Sequence, residues 1–260
     1  MRDRNKRLWL YKFVLALRPA PLGVALKHLL GIKRRVLETE NGTFLVDPCS
    51  EFGIVLLQDG EYEKDMITAF KSFLVPNSVC VDVGANEGYF SVIASRLVGQ
   101  GGIVVAVEPQ SRVLPILEKN ISLSHACNIK LNQVVISNEK GTAEIHLEPA
   151  NNTGSSGLFR TTKYWVPKET IEMITLSELL ARNGLDVVHF MKMDIEGYEY
   201  EAILGSQDIF KSHIVKSLAL ELHPSILHRR GLDPDKITSF LRDSGYSVDT
   251  RFSNLVFTVS

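Results

Sequence analysis

The feature that most constrains the fold is a short apolar segment followed by two glycines. Residues 79–83 read Val-Cys-Val-Asp-Val, which is typical of a buried strand. Gly84 and Gly88 follow four residues apart, and residues 90–98 have the periodicity of a helix. A strand, a glycine turn and a helix N-terminus in this order bring backbone N–H groups close to a ligand. The sequence therefore predicts a ligand-binding turn at residues 84–88.

Strand-like and helical segments alternate after this turn. We predict strands near residues 79–83, 103–108, 129–136, 187–193, 215–222 and 253–259. We predict helices near residues 87–98, 111–123, 175–183, 199–205 and 233–244. Strands such as 103–107 are apolar throughout, as expected when helices cover both faces of a sheet. The pattern indicates an α/β fold with a doubly wound, mostly parallel sheet.

The alternation fails over residues 141–174. We predict an extra strand at 142–147, a polar, glycine-rich loop at 148–157 and another strand at 170–174. A long irregular insertion in a compact domain is often functional. We therefore expect the segment 148–168 to contribute to substrate choice.

The N-terminal 75 residues form a second predicted unit, distinct from residues 76–260. A helix near 6–17 carries Trp9, Phe13 and Leu17 on one side, a hairpin over 35–47 turns at Asn41-Gly42, and a helix follows at 62–74. Residues 1–35 contain ten Lys or Arg and one acid, which gives them a net charge of +9. Because the whole chain has a net charge of −1, the remaining residues carry −10. The basic helix fits either a surface for anionic lipid or a solvated face docked on the domain.

Composition narrows the class of protein. An apolar fraction of 45% in 260 residues supports a sizeable core. The three cysteines have neither disulfide nor zinc spacing, which favours a reducing compartment, and we expect a cytoplasmic protein. No segment approaches the about 18 apolar residues of a membrane-spanning helix.

The residues of the turn limit the ligand that it can bind. A P-loop would need Lys and Ser or Thr after the second glycine, but Tyr89 and Phe90 follow Gly88. A dinucleotide turn has a middle glycine that this turn lacks, and Glu87 would stand near two phosphates. The turn is therefore suited to a ligand without phosphate, which disfavours an NAD-type oxidoreductase.

Two acids at strand ends favour S-adenosylmethionine. Asp82 ends a buried strand, where a carboxylate is costly without a partner. Glu108 ends the next strand, 24 residues after Gly84, where an acid can accept hydrogen bonds from both hydroxyls of a ribose or cap the following helix. S-adenosylmethionine offers an amino group, a sulfonium and a ribose, and it has no phosphate.

Three segments carry a family resemblance. Residues 81–91 (Val-Asp-Val-Gly-Ala-Asn-Glu-Gly-Tyr-Phe-Ser), 107–109 (Val-Glu-Pro) and 192–199 (Lys-Met-Asp-Ile-Glu-Gly-Tyr-Glu) resemble the FkbM family. These are class I S-adenosylmethionine-dependent methyltransferases, usually O-methyltransferases of polyketides, sugars and other secondary metabolites or glycans. The resemblance covers roughly residues 55–225, and residues 154–158 resemble the family's serine-rich loop.

The resemblance implies a Rossmann-like sheet of seven strands in the order 3-2-1-4-5-7-6, with the last strand antiparallel. It also implies that the turn lines the methionine part of the cofactor, that Glu108 binds the ribose and that adenine lies near the end of the third strand. The expected cofactor-binding residues are Asp82, Gly84, Ala85, Asn86, Gly88 and Glu108.

A second group of polar residues is expected to face the transferred methyl group. Asp194 and Glu196 follow the fourth strand and His223 follows the fifth, so all three are predicted at the same sheet edge as Gly84. A hydroxyl acceptor must be aligned and deprotonated, and we rank Asp194, Glu196 and His223 in that order as candidate catalytic residues. Glu196 could instead cap the next helix, and His223 could be a turn residue.

A metal is not expected. Asp194, Glu196 and Glu221 could offer hard oxygen ligands, but nothing in their spacing demands an ion and Lys192 lies nearby.

The sequence as a whole predicts an S-adenosylmethionine-dependent methyltransferase that acts on a hydroxyl of a small molecule, sugar or glycan. The alternatives are an NAD-type oxidoreductase and a non-catalytic nucleotide-binding module. Nucleic acid is not expected as a partner, because the predicted domain is acidic. The basic N-terminal arm is a candidate for peripheral contact with a membrane that carries a lipid-linked acceptor.

Overall fold

The computed structural model describes residues 7–147 and 167–259. Within these residues the helices are α1 Leu8–Ala16, α2 Ala20–Leu29, α3 Glu51–Asp59, α4 Lys64–Phe73, α5 Tyr89–Val98, α6 Leu114–Leu123, α7 Leu176–Asn183, α8 Glu199–Leu204, α9 Gln207–Lys211, α10 Pro224–Arg229 and α11 Asp235–Asp243. The strands are β1 Arg35–Thr39, β2 Gly42–Val46, β3 Val79–Val83, β4 Ile103–Val107, β5 Ile129–Asn132, β6 Val135–Ile136, β7 Gly141–His146, β8 Lys168–Ile174, β9 Phe190–Met193, β10 Ser217–Leu220, β11 Tyr246–Val248 and β12 Leu255–Val259.

Seven of these strands form the central sheet, in the order β11-β12-β10-β9-β3-β4-β5. The five strands from β10 to β5 are parallel, and β12 is antiparallel to both β10 and β11. Numbered along the chain within this sheet, the order is 3-2-1-4-5-7-6, as the resemblance implies. The mostly parallel α/β sheet predicted from the sequence is confirmed.

Neighbouring residues of each central strand pack into different cores, because side chains alternate across a sheet. Cys80 and Phe190 belong to a core on one face, with α4 and α5, whereas Val81 and Met191 belong to a core on the other face, with α7, α8, α9 and α11. Each large apolar side chain buried in this way contributes roughly 1.5–3 kcal/mol. The two covered faces explain why these strands are apolar throughout.

Several boundaries differ from the sequence-based predictions. The single strand predicted at 129–136 is two strands, because the chain leaves the central sheet after Asn132, whose carbonyl accepts the last ladder hydrogen bond from Glu108 N–H at 3.1 Å. The short strand β11 and the helices α2, α3, α9 and α10 were not predicted from the pattern. Strand β11 and helices α9 and α10 have three, five and six residues, whereas Pro21 and Gly23 in α2 and Gly53 in α3 interrupt a helical pattern.

The insertion forms a separate three-stranded sheet in the order β6-β8-β7. Strands β7 and β8 are antiparallel and correspond to the strands predicted at 142–147 and 170–174. The predicted loop at 148–157, the serine-rich residues 154–158 and most of the segment 148–168 lie outside the described residues.

The N-terminal elements pack on the central sheet. Tyr11, Phe44 and Phe70 share one hydrophobic core with Phe90 and Phe190. The N-terminal elements and the sheet therefore bury their apolar side chains together. The division of the chain into two units at residue 75 stays a prediction. Among the described helices, none is long and apolar enough to cross a bilayer.

One local prediction in this region is wrong. The hairpin turns at Glu40-Asn41, one residue earlier than predicted, because Gly42 already pairs with Thr39 as the first residue of β2. The side of α1 that carries Trp9 and Phe13 faces outward, with 71% and 53% of their surface exposed, and the helix packs on the domain through Tyr11 and Val14.

Candidate active site

The glycine turn is fixed by contacts to both neighbouring strands. Gly84 N–H and Ala85 N–H both donate to the carbonyl of Val107, at 3.0 and 2.9 Å. Gly84 has φ of 87°, and a Cβ atom there would lie 1.8 Å from the carbonyl oxygen of Asp194. Glycine is therefore required at position 84 for its conformation and for the close approach of β9.

A cavity of about 290 Å³ lies beyond the carboxyl ends of β3, β4, β9 and β10. This is the point at which the strand order reverses, where open α/β sheets bind ligands. Of the predicted site residues, those that line the cavity are Gly84, Ala85, Asn86, Glu108, Asp194 and Glu196. Asp82, Gly88 and His223 are not among its lining residues.

The charge of the cavity wall is strongly negative. Among the described lining residues Lys192 is the single Lys or Arg, and Glu87 is paired with Arg34 from outside the wall, at 2.6 and 2.9 Å. The acids of the wall are Glu51, Glu63, Glu87, Glu108, Asp194, Glu196 and Glu221. Such a wall favours a cationic ligand and repels phosphate.

Glu108 joins the turn to the end of β4. It is buried, and its two carboxylate oxygens accept hydrogen bonds from Asn86 N–H at 2.9 Å and Gln110 N–H at 3.0 Å. Burial raises the pKa of Glu108 to about 7, although these two hydrogen bonds and one from the Gln110 side chain lower it. Three donors do not fill the acceptor capacity of a carboxylate, so Glu108 can cap the backbone and still receive a hydroxyl donor.

Asp82 has a different position. It is fully buried, and Oδ2 accepts a hydrogen bond from the Ser91 hydroxyl at 2.6 Å. Burial raises the pKa of Asp82, and the charge of Lys192 partly offsets this rise. Its Oδ1 is buried without a hydrogen-bond partner in the described structure, as are Oδ1 of Asn86 and Oε2 of Glu63 in the cavity wall.

Lys192 is the buried cation at the centre of the acids. Its Nζ lies 3.3 Å from Oδ2 of Asp194 and 5.3 Å from the centre of the Phe90 ring. Burial alone would lower the pKa of Lys192, but the surrounding carboxylates raise it above the ordinary value. Those carboxylates are Asp194, Asp82, Glu63 and Glu221. Lys192 is therefore a permanent positive charge.

His223 brings the second acidic cluster together. Its Nδ1 lies 2.9 Å from Oε1 of Glu199, and its Nε2 lies 3.5 Å from Glu196 and 3.8 Å from Asp194. Burial lowers the pKa of His223, but the hydrogen bond and charge of Glu199, followed by the other two acids, raise it to about 9. The imidazole is therefore cationic at neutral pH.

Glu199 and Glu196 have distinct environments. Glu199 is fully buried, and Oε1 accepts hydrogen bonds from Gly197 N–H at 3.0 Å and Ile195 N–H at 3.3 Å. It thereby fixes the turn in which Glu196 has a φ of 54°, a strained conformation of a kind found at active sites. Burial raises the pKa of Glu196 to about 7, the nearby His223 lowers it, and Asp194 raises it.

The same cluster is the group of possible metal ligands in the described part of the chain. One ligand atom each from Asp194, Glu196 and His223 lie within 4.8 Å of one another. The sequence suggested Glu221 as the third ligand, whereas the structure groups His223 with the two acids. The absence of a metal stays a prediction.

Sequence reasoning missed three acids of the cavity wall, Glu51, Glu63 and Glu221. Glu221 directly follows β10, as Glu108 follows β4, so the rule of an acid at a parallel strand end would have found it. It was considered only as a metal ligand. Glu63 has a φ of 47° before α4, and no sequence pattern marks that conformation.

Comparison with known proteins decides the family. A family model, described as the methyltransferase FkbM domain, matches residues 82–248, which is more than half of the chain. The chain belongs to the FkbM methyltransferase family. The resemblance drawn from the three motif segments is confirmed, and the matched region contains the glycine turn, Glu108 and the His223 cluster.

Individual proteins that are similar to this chain show the extent of the likeness. The methyltransferase sdnD of Sordaria araneosa is 27% identical over 207 residues, which cover 67% of this chain and 76% of that protein. The hexuronic acid methyltransferase AglP of Haloferax volcanii is 24% identical over 193 residues, covering 74% and 73%. The solved FkbM methyltransferase of Methylobacillus flagellatus KT is 16% identical with a TM-score of 0.45, covering 79% of this chain and 52% of that one.

Proposed function

We propose that this FkbM methyltransferase uses S-adenosylmethionine to methylate a hydroxyl group of a small molecule, sugar or glycan. The observation that carries the proposal is the wall of seven acids and one lysine around a cavity at the strand-order reversal. A cationic adenosyl ligand is compatible with such a wall, whereas the pyrophosphate of NAD would be repelled.

The residues of the turn fit the cofactor. Oδ1 of Asn86 and Oε2 of Glu63 are buried acceptors without partners in the described residues, and they can receive the donors of an ammonium group. Glu108 has acceptor capacity left for a hydroxyl of a ribose. When bound, S-adenosylmethionine supplies a methyl group on a positively charged sulfur.

Glu196 is the general base in this proposal, and Asp194 positions the acceptor. The pKa of Glu196, raised to about 7, matches the operating pH and lets the carboxylate take a proton from a hydroxyl. Asp194 lies between the cations of Lys192 and His223, whose nitrogens are 3.3 and 3.8 Å from its carboxylate oxygens, and this fixed position suits it to hold the acceptor. This arrangement supports a reversal of the order that the sequence suggested, with Asp194 second.

His223 holds the two acids in place as a cation. Its pKa of about 9 leaves it protonated at neutral pH, so it does not serve as the base. Glu199 fixes the orientation of the imidazole through Nδ1, and Nε2 is directed to Asp194 and Glu196. The positive charge stabilises the ionised acids until one of them takes the proton of the acceptor.

The class of acceptor has support from one relative. AglP is, by its name, a methyltransferase of a hexuronic acid, which supports a sugar-containing acceptor for this chain. Acceptor choice is assigned to residues 148–168 together with the N-terminal region, and nucleic acid is not proposed as a partner.

The cysteines of the described residues are free, which is consistent with the cytoplasm as the compartment.

Calorimetric titration tests the cofactor. We expect S-adenosylmethionine to bind with micromolar affinity and Glu108→Gln to weaken binding at least about tenfold, because one acceptor oxygen is lost. Glu118→Gln is the matched control, since Glu118 is an exposed acid of α6 outside the cavity wall. Thermal unfolding of both variants shows whether a loss of binding reflects a loss of folding.

The alternatives give different results in the same experiment. Binding of NAD without binding of S-adenosylmethionine would identify an oxidoreductase and refute the proposal. Binding of S-adenosylmethionine without methylated products in any extract would indicate the non-catalytic module. Mass spectrometry of metabolites from a deletion strain identifies the acceptor by the missing methyl group.

A further inference from the structure

Exposed apolar side chains are concentrated on the first two helices. Within the described residues, large apolar side chains that are strongly exposed are found at seven positions, and five of these belong to the N-terminal arm, defined here as residues 7–35. The five are Trp9, Phe13, Leu22, Leu29 and Leu30. A cluster of this kind on an otherwise ordinary surface marks an interaction site.

The exposed residues form a stripe on each helix. Trp9 and Phe13 are one turn apart on α1, and Leu22 and Leu29 are two turns apart on α2, so each pair shares a face. The helices pack against each other, and Tyr11 and Val14 anchor α1 in the core. The arm therefore presents apolar side chains from a surface that the domain holds in place.

Unneutralised positive charge accompanies these stripes. Arg7, Lys33 and Arg35 are exposed and have no acidic partner in the described structure. Residues 1–35 contain a single acid, whereas the remainder of the chain carries a net charge of −10. An anionic surface would attract the arm and repel the domain, which orients the molecule.

We propose that the N-terminal arm docks on the surface of a membrane that contains anionic lipid. Trp, Phe and Leu enter the boundary between headgroups and acyl chains, and the surrounding Lys and Arg contact the headgroups. A second copy of this chain is the less suitable occupant, because a symmetric contact would bring the two basic arms together.

Helix α3 connects the arm with the cavity. Lys12 of α1 donates a hydrogen bond to Gln58 of α3 at 2.9 Å, and the start of α3, with Ser50 and Phe52, lines the cavity. An amphiphilic acceptor could then enter from the membrane. This last step rests on the proposed function, whereas the docking itself does not.

Vesicle co-sedimentation and Trp9 fluorescence test the docking. The chain has two tryptophans, so Trp165→Phe leaves Trp9 as the single reporter. We expect this protein to sediment with vesicles of phosphatidylcholine and phosphatidylserine, to remain in solution with phosphatidylcholine alone, and to show a blue-shifted Trp9 emission on binding.

Two variants and one control separate the contributions. The first variant combines Trp9→Ala with Phe13→Ala in the otherwise native chain, and its binding is measured by co-sedimentation. We expect its partition onto the vesicles to weaken at least about tenfold. Lys33→Glu combined with Arg35→Glu is expected to weaken it at least roughly thirtyfold and to reduce its salt dependence. Val75→Ala, at an exposed apolar site outside the arm, should bind as the native chain does.

The outcomes decide the proposal independently of catalysis. Equal sedimentation with neutral and anionic vesicles, no sedimentation at low salt, or native binding by both double variants overturns it. Self-association that is lost in the Trp9 and Phe13 double variant, without vesicle binding, assigns the surface to a second copy and also overturns it. Binding to vesicles with no methyltransferase activity would refute only the proposed function.

Discussion

Replacing Gly84 by alanine should destabilise the protein far more than a left-handed glycine normally does. Both Gly84 and Gly60 have a positive φ, of 87° and 78°, so alanine at either position costs roughly 1–2 kcal/mol in backbone strain. At Gly60 nothing lies within 4 Å of the added Cβ, whereas at Gly84 the carbonyl oxygen of Asp194 lies 1.8 Å away. Gly60→Ala is therefore the matched control.

The additional cost at Gly84 follows from the hydrogen bonds that must break. An ordinary contact starts at 3.4 Å, so the turn and β9 must separate by well over an ångström. That movement breaks the bond from Asp194 N–H to the carbonyl of Val83, now 3.0 Å, and disturbs the two bonds to Val107. Each broken buried bond costs roughly 1–3 kcal/mol. We expect Gly84→Ala to lose roughly 3–6 kcal/mol in total.

Urea unfolding followed by circular dichroism measures the difference between the two variants. A free energy of unfolding for Gly84→Ala within about 1 kcal/mol of that for Gly60→Ala would refute the reasoning, because the close approach would then carry no cost. If Gly84→Ala fails to fold while Gly60→Ala folds, the cost of alanine at position 84 exceeds the free energy of unfolding of the domain. That outcome also supports the reasoning.

Three further predictions concern the His223 cluster. The value of kcat/KM should rise as pH passes about 7, where Glu196 loses its proton, and fall as pH passes about 9, where His223 loses its charge. A value of kcat/KM already maximal at pH 5 would exclude Glu196 as the base. Glu199→Gln should move the pKa of His223, measured by NMR titration, from about 9 toward its ordinary 6.5, and an unchanged value would show that other acids hold the charge. The raised pKa of His223 stabilises the fold fully below pH 6.5, and this stabilisation is lost as pH rises through about 9. Glu199→Gln should therefore lower the free energy of unfolding by roughly 2 kcal/mol at pH 6 and by much less at pH 10. Excess chelator should leave methylation intact, since His223 and Lys192 already neutralise the acids, and a loss restored by Mg²⁺ would contradict this expectation.

The central sheet could be predicted because its signal is repeated. Each parallel strand is a short apolar segment, and α5 and α6, with ten residues each, are long enough for their periodicity to show. The same reasoning failed for β11 and α10, which have three and six residues. For α1 it left two interpretations open, because an amphipathic pattern shows that two faces differ but not which face the domain covers.

The site could be predicted in position but not in protonation. An acid at a strand end is visible in the sequence, which gave Glu108, Asp194 and Glu196 their places. The contact between Glu199 and His223 joins residues 24 positions apart through a turn that no local pattern marks. That contact sets the charge of His223, and with it the choice between Asp194 and Glu196 as base.

The ion pair between Arg34 and Glu87 limits where the arm can be removed. Arg34 lies at the end of the arm, while Glu87 lies within the glycine turn and is almost fully buried. A truncated protein that starts at Arg35 would leave Glu87 as a buried charge without its partner, which costs roughly 3 kcal/mol. One that starts at Arg34 retains the pair. Both truncations also remove Lys27, the partner of the buried Asp47, and the core residues Tyr11 and Val14, so substitutions within the arm report on lipid binding more cleanly than its deletion.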